Sequence, residues 1–189
     1  MKTLYQLFTL GAAALVAGCS SYPAYRPQTA PEKIEFRHDS LEVYPEDVRK
    51  DPAKFAGIRV AWAGIIQQSD VAECNGDMFC IHTVFQHHYF DFQENGGMSG
   101  PRYSVSRRGE GLFKTEWVVR KINSNATPDQ VQKYAAPGKL AIVYGVPTGV
   151  DENGEIQLRY RYLRLVDQDD YTLYNFDYGR LGQPVVYMK

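Results

Sequence analysis

The chain predicts a mainly β fold, a small five-stranded OB-like Greek-key barrel with one helix between strands three and four. Three observations carry that expectation. A long apolar run, Arg59 to Ile66, alternates with period two and holds Gly64 inside it. A helix start, Thr127-Pro128-Asp129-Gln130, falls between the third and fourth strand patterns. Turn signals at Asn75-Gly76 and Asn153-Gly154 punctuate neighbouring apolar runs. The resulting order, β-β-β-α-β-β, is that of the OB-fold, and barrel closure follows by analogy with it.

Ahead of the barrel, Lys2 precedes an apolar run from Leu4 to Gly18. The run is too short for a spanning helix, which needs roughly 20 apolar residues. A positive start, an apolar middle and a small-residue end mark residues 1–18 as a secretory signal. It closes on Leu15-Val-Ala-Gly-Cys19, which resembles the lipobox of bacterial lipoproteins. That resemblance implies that Cys19 becomes the first mature residue and carries a diacylglycerol and an N-acyl lipid, with no other cofactor expected. Ser20, in place of an aspartate, resembles the sorting pattern of lipoproteins sent to the outer membrane, facing the periplasm. Residues 19–33, with Pro23, Pro27 and Pro31, read as an extended flexible tether.

The barrel is expected over residues 34–167. Asp51-Pro52 through Gly57 predicts a single helical turn, capped by Asp51, with Phe55 in the core. On the first strand Val60, Trp62, Gly64 and Ile66 share a face, and Gly64 suggests a bulge or sharp coil. The second strand runs from Phe79 to about Phe92, followed by a glycine-rich loop over 93–111. Leu112 to Arg120 is the third strand. In the helix after Thr127, Val131 and Tyr134 share a face, and Pro137-Gly138 stops it. Lys139–Val146 and Glu155–Val166 form a hairpin, the latter alternating through Ile156, Leu158, Tyr160 and Tyr162. Residues 168–189 are a tyrosine-rich extension that packs across the barrel or forms an exposed docking strip.

Charge is balanced, 21 Lys+Arg against 22 Asp+Glu, so nothing global points to nucleic acid as a partner. With 44% apolar residues the chain can fill a core, and a mean hydropathy of -0.41 argues against further spans. Of three cysteines, lipidation of Cys19 leaves Cys74 and Cys80, which read as a disulfide in an oxidising compartment. The rival, a cysteine metal site, lacks the short zinc spacing. A staple across so short a loop contributes about 2 kcal/mol.

Asp51-Pro-x-x-Phe55-x-Gly57-x-x-Val60-x-Trp62-x-Gly64-x-Ile66 resembles the opening motif of the Slp-type (starvation-inducible) outer-membrane lipoproteins. Leu173-Tyr-Asn-Phe-Asp-Tyr-Gly179 resembles their C-terminal aromatic segment. Cys74, Cys80 and the 93–111 loop depart from that pattern. The resemblance implies a non-enzymatic outer-membrane lipoprotein tied to starvation or acid stress, with no catalytic residues to carry over. It leaves room for an envelope protein partner besides the membrane itself.

Two candidate sites stand beside the bland alternatives. His82, His87 and His88 lie on the second strand, and parity puts His82 and His88 on one face as metal ligands, with Asp91 nearby. The stronger reading is surface histidines with no ligand role, and pH sensing is a second functional option. Trp62, Tyr89, Arg102 and Tyr103, with Phe85, Phe90, Arg107 and Arg108, would make an aromatic platform with a basic rim for a ligand or partner. The stronger reading is that these aromatics fill the interior of a small barrel. No nucleophile elbow, HExxH motif, phosphate loop or dinucleotide fingerprint is present, and the acidic run Asp167, Asp169, Asp170 reads as solvated.

Overall fold

A computed structural model of the chain describes residues 25–90, 103–121, 123, 125–174, 177–178 and 184–185. The lipobox, residues 91–102 with Arg102 and Asp91, and half of the C-terminal extension lie outside them. In chain order the helices are α1 Ala30–His38, α2 Pro45–Lys50, α3 Pro52–Phe55 and α4 Pro128–Tyr134. The strands are β1 Val60–Asn75, β2 Met78–His88, β3 Tyr103–Ser106, β4 Leu112–Arg120, β5 Leu140–Val150, β6 Ile156–Val166, β7 Tyr171–Tyr174, β8 Asp177–Tyr178 and β9 Pro184–Val185.

Five strands close a barrel in the order β1-β2-β4-β6-β5, with β5 returning to β1. The β4–β6 pair is parallel and the other pairs are antiparallel. With α4 between the third and fourth barrel strands, this is the OB-like arrangement expected. β1 is long enough to serve two neighbours: Val60–Ile65 pair with β5, and Ala63–Asn75 pair with β2. The register shift that bends it lies between Ile66 and Gln68, not at Gly64. Gly64 does a different job. A Cβ there would sit 2.7 Å from both Phe85 Cβ and Phe113 Cζ, so the missing side chain makes room for that stacked pair, whose centroids are 5.1 Å apart.

Alternation sorts β1 into two cores. Val60, Trp62 and Ile66 face the interior with Ile81, Phe85, Phe113, Trp117, Val143 and Ile156, joined by Val48 of α2. Phe55 packs against this cluster from α3, whose Asp51 cap accepts from Lys54 N at 3.1 Å. Ala61, Ala63 and Ile65 face outward with Leu140, Ile142, Tyr144 and Val166, and are also buried. Tyr25, Phe90, Tyr103 and Val105 cover them. A stretch buried on both faces therefore loses the polar half of its alternation.

The outer layer corrects four expectations. The 93–111 loop contains a strand, β3, paired in parallel with β7, so the extension packs on the barrel from Tyr171 while Leu173 stays exposed. The second strand ends at His88, and only an isolated bridge, Phe90 to Val105, continues it. The stretch read as tether, 19–33, is folded from Tyr25 onward: Tyr25 is buried, and α1 starts at Ala30 behind the cap Thr29. On β6, Tyr160 belongs to the interior but Tyr162 to the outer layer, because a register shift opposite Tyr144/Gly145 leaves Arg161 as the extra residue. At the far hairpin tip Cys74 and Cys80 form the expected disulfide, with Cα atoms 5.6 Å apart.

Asp39 closes α1 and yields a pH prediction. Its side chain is fully buried, neither oxygen accepts a hydrogen bond from the described residues, and Arg59 Nε lies 3.9 Å away. Burial, reinforced by Glu35, raises the carboxyl to about 7, against the weaker pull of Arg59. A folded-state value above the unfolded one means the native state holds the proton more tightly. That contribution is complete below about pH 4 and is lost as pH rises through 7. Asp39→Asn, neutral at every pH, should match the parent's Tm near pH 4 and exceed it increasingly up to pH 8. A constant difference across a Tm-versus-pH series would refute the assignment.

Candidate functional site

β4 and β6 pair only from Phe113–Ile156 to Glu116–Arg159. Beyond that the two strands part, and α4 lies across the gap. Its start is fixed by Pro128 at the first turn and by Gln130 Oε1, which accepts from Thr127 N at 3.2 Å. Its end is tied to β1: Ser69 Oγ donates to Ala135 O at 2.6 Å, and Gln132 Nε2 donates to Ser69 O at 2.8 Å. Gly138, at φ 87°, turns the chain back so that its N–H reaches Ile66 O at 2.9 Å. A helix held at one side and strands diverging at the other leave a cavity of about 360 Å³.

The cavity walls are apolar: Phe79, Trp117, Val119, Val131, Tyr134 and Leu165. Its polar margin is neutralised. Lys121 Nζ meets Glu73 at 3.0 Å and lies 5.0 Å over the Phe79 ring, while Arg120 Nε meets Asp77 at 2.7 Å. Trp117 spends its indole N–H on Thr83 Oγ1 at 2.9 Å, so only its ring faces the space. Tyr134 is 70% exposed, an aromatic left in water beside the opening. The volume falls within the range of small-molecule pockets, about 300–1,000 Å³, and the chemistry suits a compact, uncharged, apolar ligand. The helix carrying Val131 and Tyr134 was legible in sequence. The cavity was not, because it depends on where two distant strands stop pairing.

The histidines are not brought together. His82 and His88 do share a face, but six residues of strand place them about 20 Å apart. His82 is exposed and its Nδ1 is 3.2 Å from Glu116. His88 is buried beneath β3, with Nδ1 2.6 Å from Ser106 O, and burial lowers its pKa. His87 lies inside the barrel end opposite the cavity. Burial, helped by His88 and Arg49, pushes it down to about 3, so it is neutral, and its Nδ1 accepts from Glu110 N at 3.1 Å. Two of the three expected surface histidines are thus packing groups. Among the described residues no three His, Cys, Asp or Glu side chains converge as a metal site.

Nor do the aromatics form one platform. Trp62 is interior, its indole donating to Val43 O at 2.7 Å, whereas Tyr103 belongs to the outer layer on the other side of the β1 backbone. Tyr89 donates to Glu110 Oε1 at 2.5 Å and rests edge-on against His87.

The most concentrated electrostatics lie where no motif pointed. On the outer face of β5 and β6, Glu32 and Arg164 are buried together, Arg164 Nη1 lying 3.5 Å from Glu32 Oε1. Tyr25 and Tyr144 donate to the same carboxylate oxygen, the latter at 3.3 Å. Gln28 N donates to the other oxygen at 2.6 Å. Arg164 also donates to Tyr25 Oη at 2.9 Å and to Tyr103 Oη. Burial raises both the Tyr25 and Tyr144 hydroxyls, which therefore stay protonated and act as donors. Glu35 forms a second tie beside it, held by Arg161 Nε at 2.6 Å and Arg59 Nη2 at 3.0 Å, which keeps its carboxyl below the usual range. These two clusters clamp the N-terminal segment onto the barrel.

No family model matches the chain, and no curated protein or solved structure matches it.

Proposed function

We propose that the chain is a non-enzymatic lipoprotein of the outer membrane, anchored through lipid at Cys19 and facing the periplasm, with a binding role in the cell envelope. The observation that carries this reading is the Leu15-Val-Ala-Gly-Cys19 lipobox behind its short apolar run. The Cys74–Cys80 disulfide supports an oxidising compartment. The apolar cavity beside α4 supports the binding half, and it replaces the histidines as the place where a small ligand would sit. The Slp-type resemblance supports a link to starvation or acid stress, as does Asp39, whose protonation favours the fold toward acid.

Two measurements test the two halves. Labelled palmitate should enter the protein in Gram-negative cells and be absent from Cys19→Ser; equal labelling of both removes the anchor. A neutral hydrophobic dye, N-phenyl-1-naphthylamine, should bind saturably to the folded protein. Val131→Trp, which fills the cavity, should weaken that binding at least tenfold. Unchanged dye affinity in a folded Val131→Trp protein eliminates the cavity as the site.

A further inference from the structure

The folded part of the chain begins much nearer the anchor than the proline-rich sequence suggests. Tyr25 is 4% exposed and bonded to Glu32 and Arg164, so it moves with the barrel. Only residues 20–24 separate it from Cys19. At about 3.5 Å per residue, even a fully extended link reaches about 20 Å, less than half of what a tether over 19–33 would allow. Whatever surface surrounds Tyr25 is therefore held close to the membrane in which Cys19 is embedded.

That surface includes α1, whose charges are segregated. The acidic side chains Glu32 and Glu35 turn inward and are consumed by Arg164, Arg161 and Arg59. Lys33, Ile34 and Arg37 turn outward, spaced three and four apart on one helix face. Ile34 is 57% exposed. From Tyr25 to His38 the exposed charged side chains are Arg26, Lys33 and Arg37, all positive, on a chain whose net charge is -1. A basic face around an apolar residue suits an anionic lipid interface. So few contacts would bind weakly from solution, but a short covalent link holds them at high effective concentration.

We propose that the outer face of α1, through Lys33, Ile34 and Arg37, lies on the anionic surface of the membrane that holds Cys19 and fixes the orientation of the barrel on it. The proposal rests on the lipoprotein reading, and its test separates the two. The full-length lipidated protein is reconstituted in phosphatidylcholine vesicles with or without phosphatidylglycerol. It carries an environment-sensitive fluorophore on Ile34→Cys or, for reference, on Glu152→Cys in the exposed turn between β5 and β6.

With phosphatidylglycerol present, the probe at 34 should shift to the blue and be quenched several-fold by spin-labelled lipid, while the probe at 152 stays solvent-like. Lys33→Glu with Arg37→Glu, both exposed and foldable, should abolish the quenching. A probe at 34 that behaves like the one at 152, in protein whose mass shows lipid on Cys19 and which floats with the vesicles, overturns the orientation and leaves the anchor standing. Absence of lipid at Cys19 overturns both.

Discussion

Arg164→Met should cost the fold about 3–5 kcal/mol, the usual penalty for removing one partner of a buried ion pair. The loss is large because of what stays behind. Glu32 is fully buried, and without the guanidinium its carboxylate keeps only hydroxyl and backbone donors for a full negative charge. Glu32→Leu, which strands Arg164 among Tyr25 and Tyr103, should fall in the same range.

The double change Glu32→Leu with Arg164→Met removes both charges and should recover most of the loss, since apolar replacements of buried ion pairs are often neutral. Urea denaturation of the four proteins gives the coupling energy. Additive single and double effects would mean the pair is not the clamp described. The same variants should loosen α1 first, because Glu32 and Tyr25 belong to the segment the pair holds down. Faster amide exchange over Ala30–His38 than over β1 would register that.

Why this clamp escaped the sequence is a matter of distance and parity. Glu32 and Arg164 are separated by 132 positions, and neither sits in a recognisable motif. Arg164 would face the interior if β6 alternated without interruption; the extra residue at Arg161 turns it outward. By contrast, β4 follows Leu112 to Arg120 as expected, since a strand with one buried face keeps its alternation. The α4 start was legible for a similar reason: its capping residues and Pro128 act within one turn. Local chemistry exposes elements that depend on neighbours in the chain.

β3 shows the reverse. Tyr103–Ser106 is a strand only because β7 arrives beside it from the far end of the protein, so a glycine-rich context hid it. His87 and His88 were read as surface groups for the same reason. Their covers, the Glu110 turn and β3, are remote in sequence.

Gly64→Ala should destabilise the barrel by about 1–3 kcal/mol, and Gly64→Val by more, despite the better strand propensity of both residues. Two effects of opposite sign compete at this position. Replacing glycine inside a strand ordinarily gains about 0.5–1 kcal/mol by reducing the freedom of the unfolded chain. Against it stands contact at 2.7 Å with Phe85 Cβ and Phe113 Cζ, closer than carbon atoms pack.

Neither ring can retreat cheaply. Both phenylalanines are fully buried, they stack on each other with 15° between planes, and Trp62 closes the far side of Phe113 at 5.3 Å. The overpacking therefore outweighs the entropic gain. Shortening the obstacle should relieve the contact: Phe113→Leu alone leaves a cavity, whereas Gly64→Ala placed on Phe113→Leu should cost less than it does on the parent. Thermal denaturation of that four-protein cycle reads the coupling. A neutral or stabilising Gly64→Ala in the parent would show that the barrel yields at this point, and that the glycine is not what admits the ring pair.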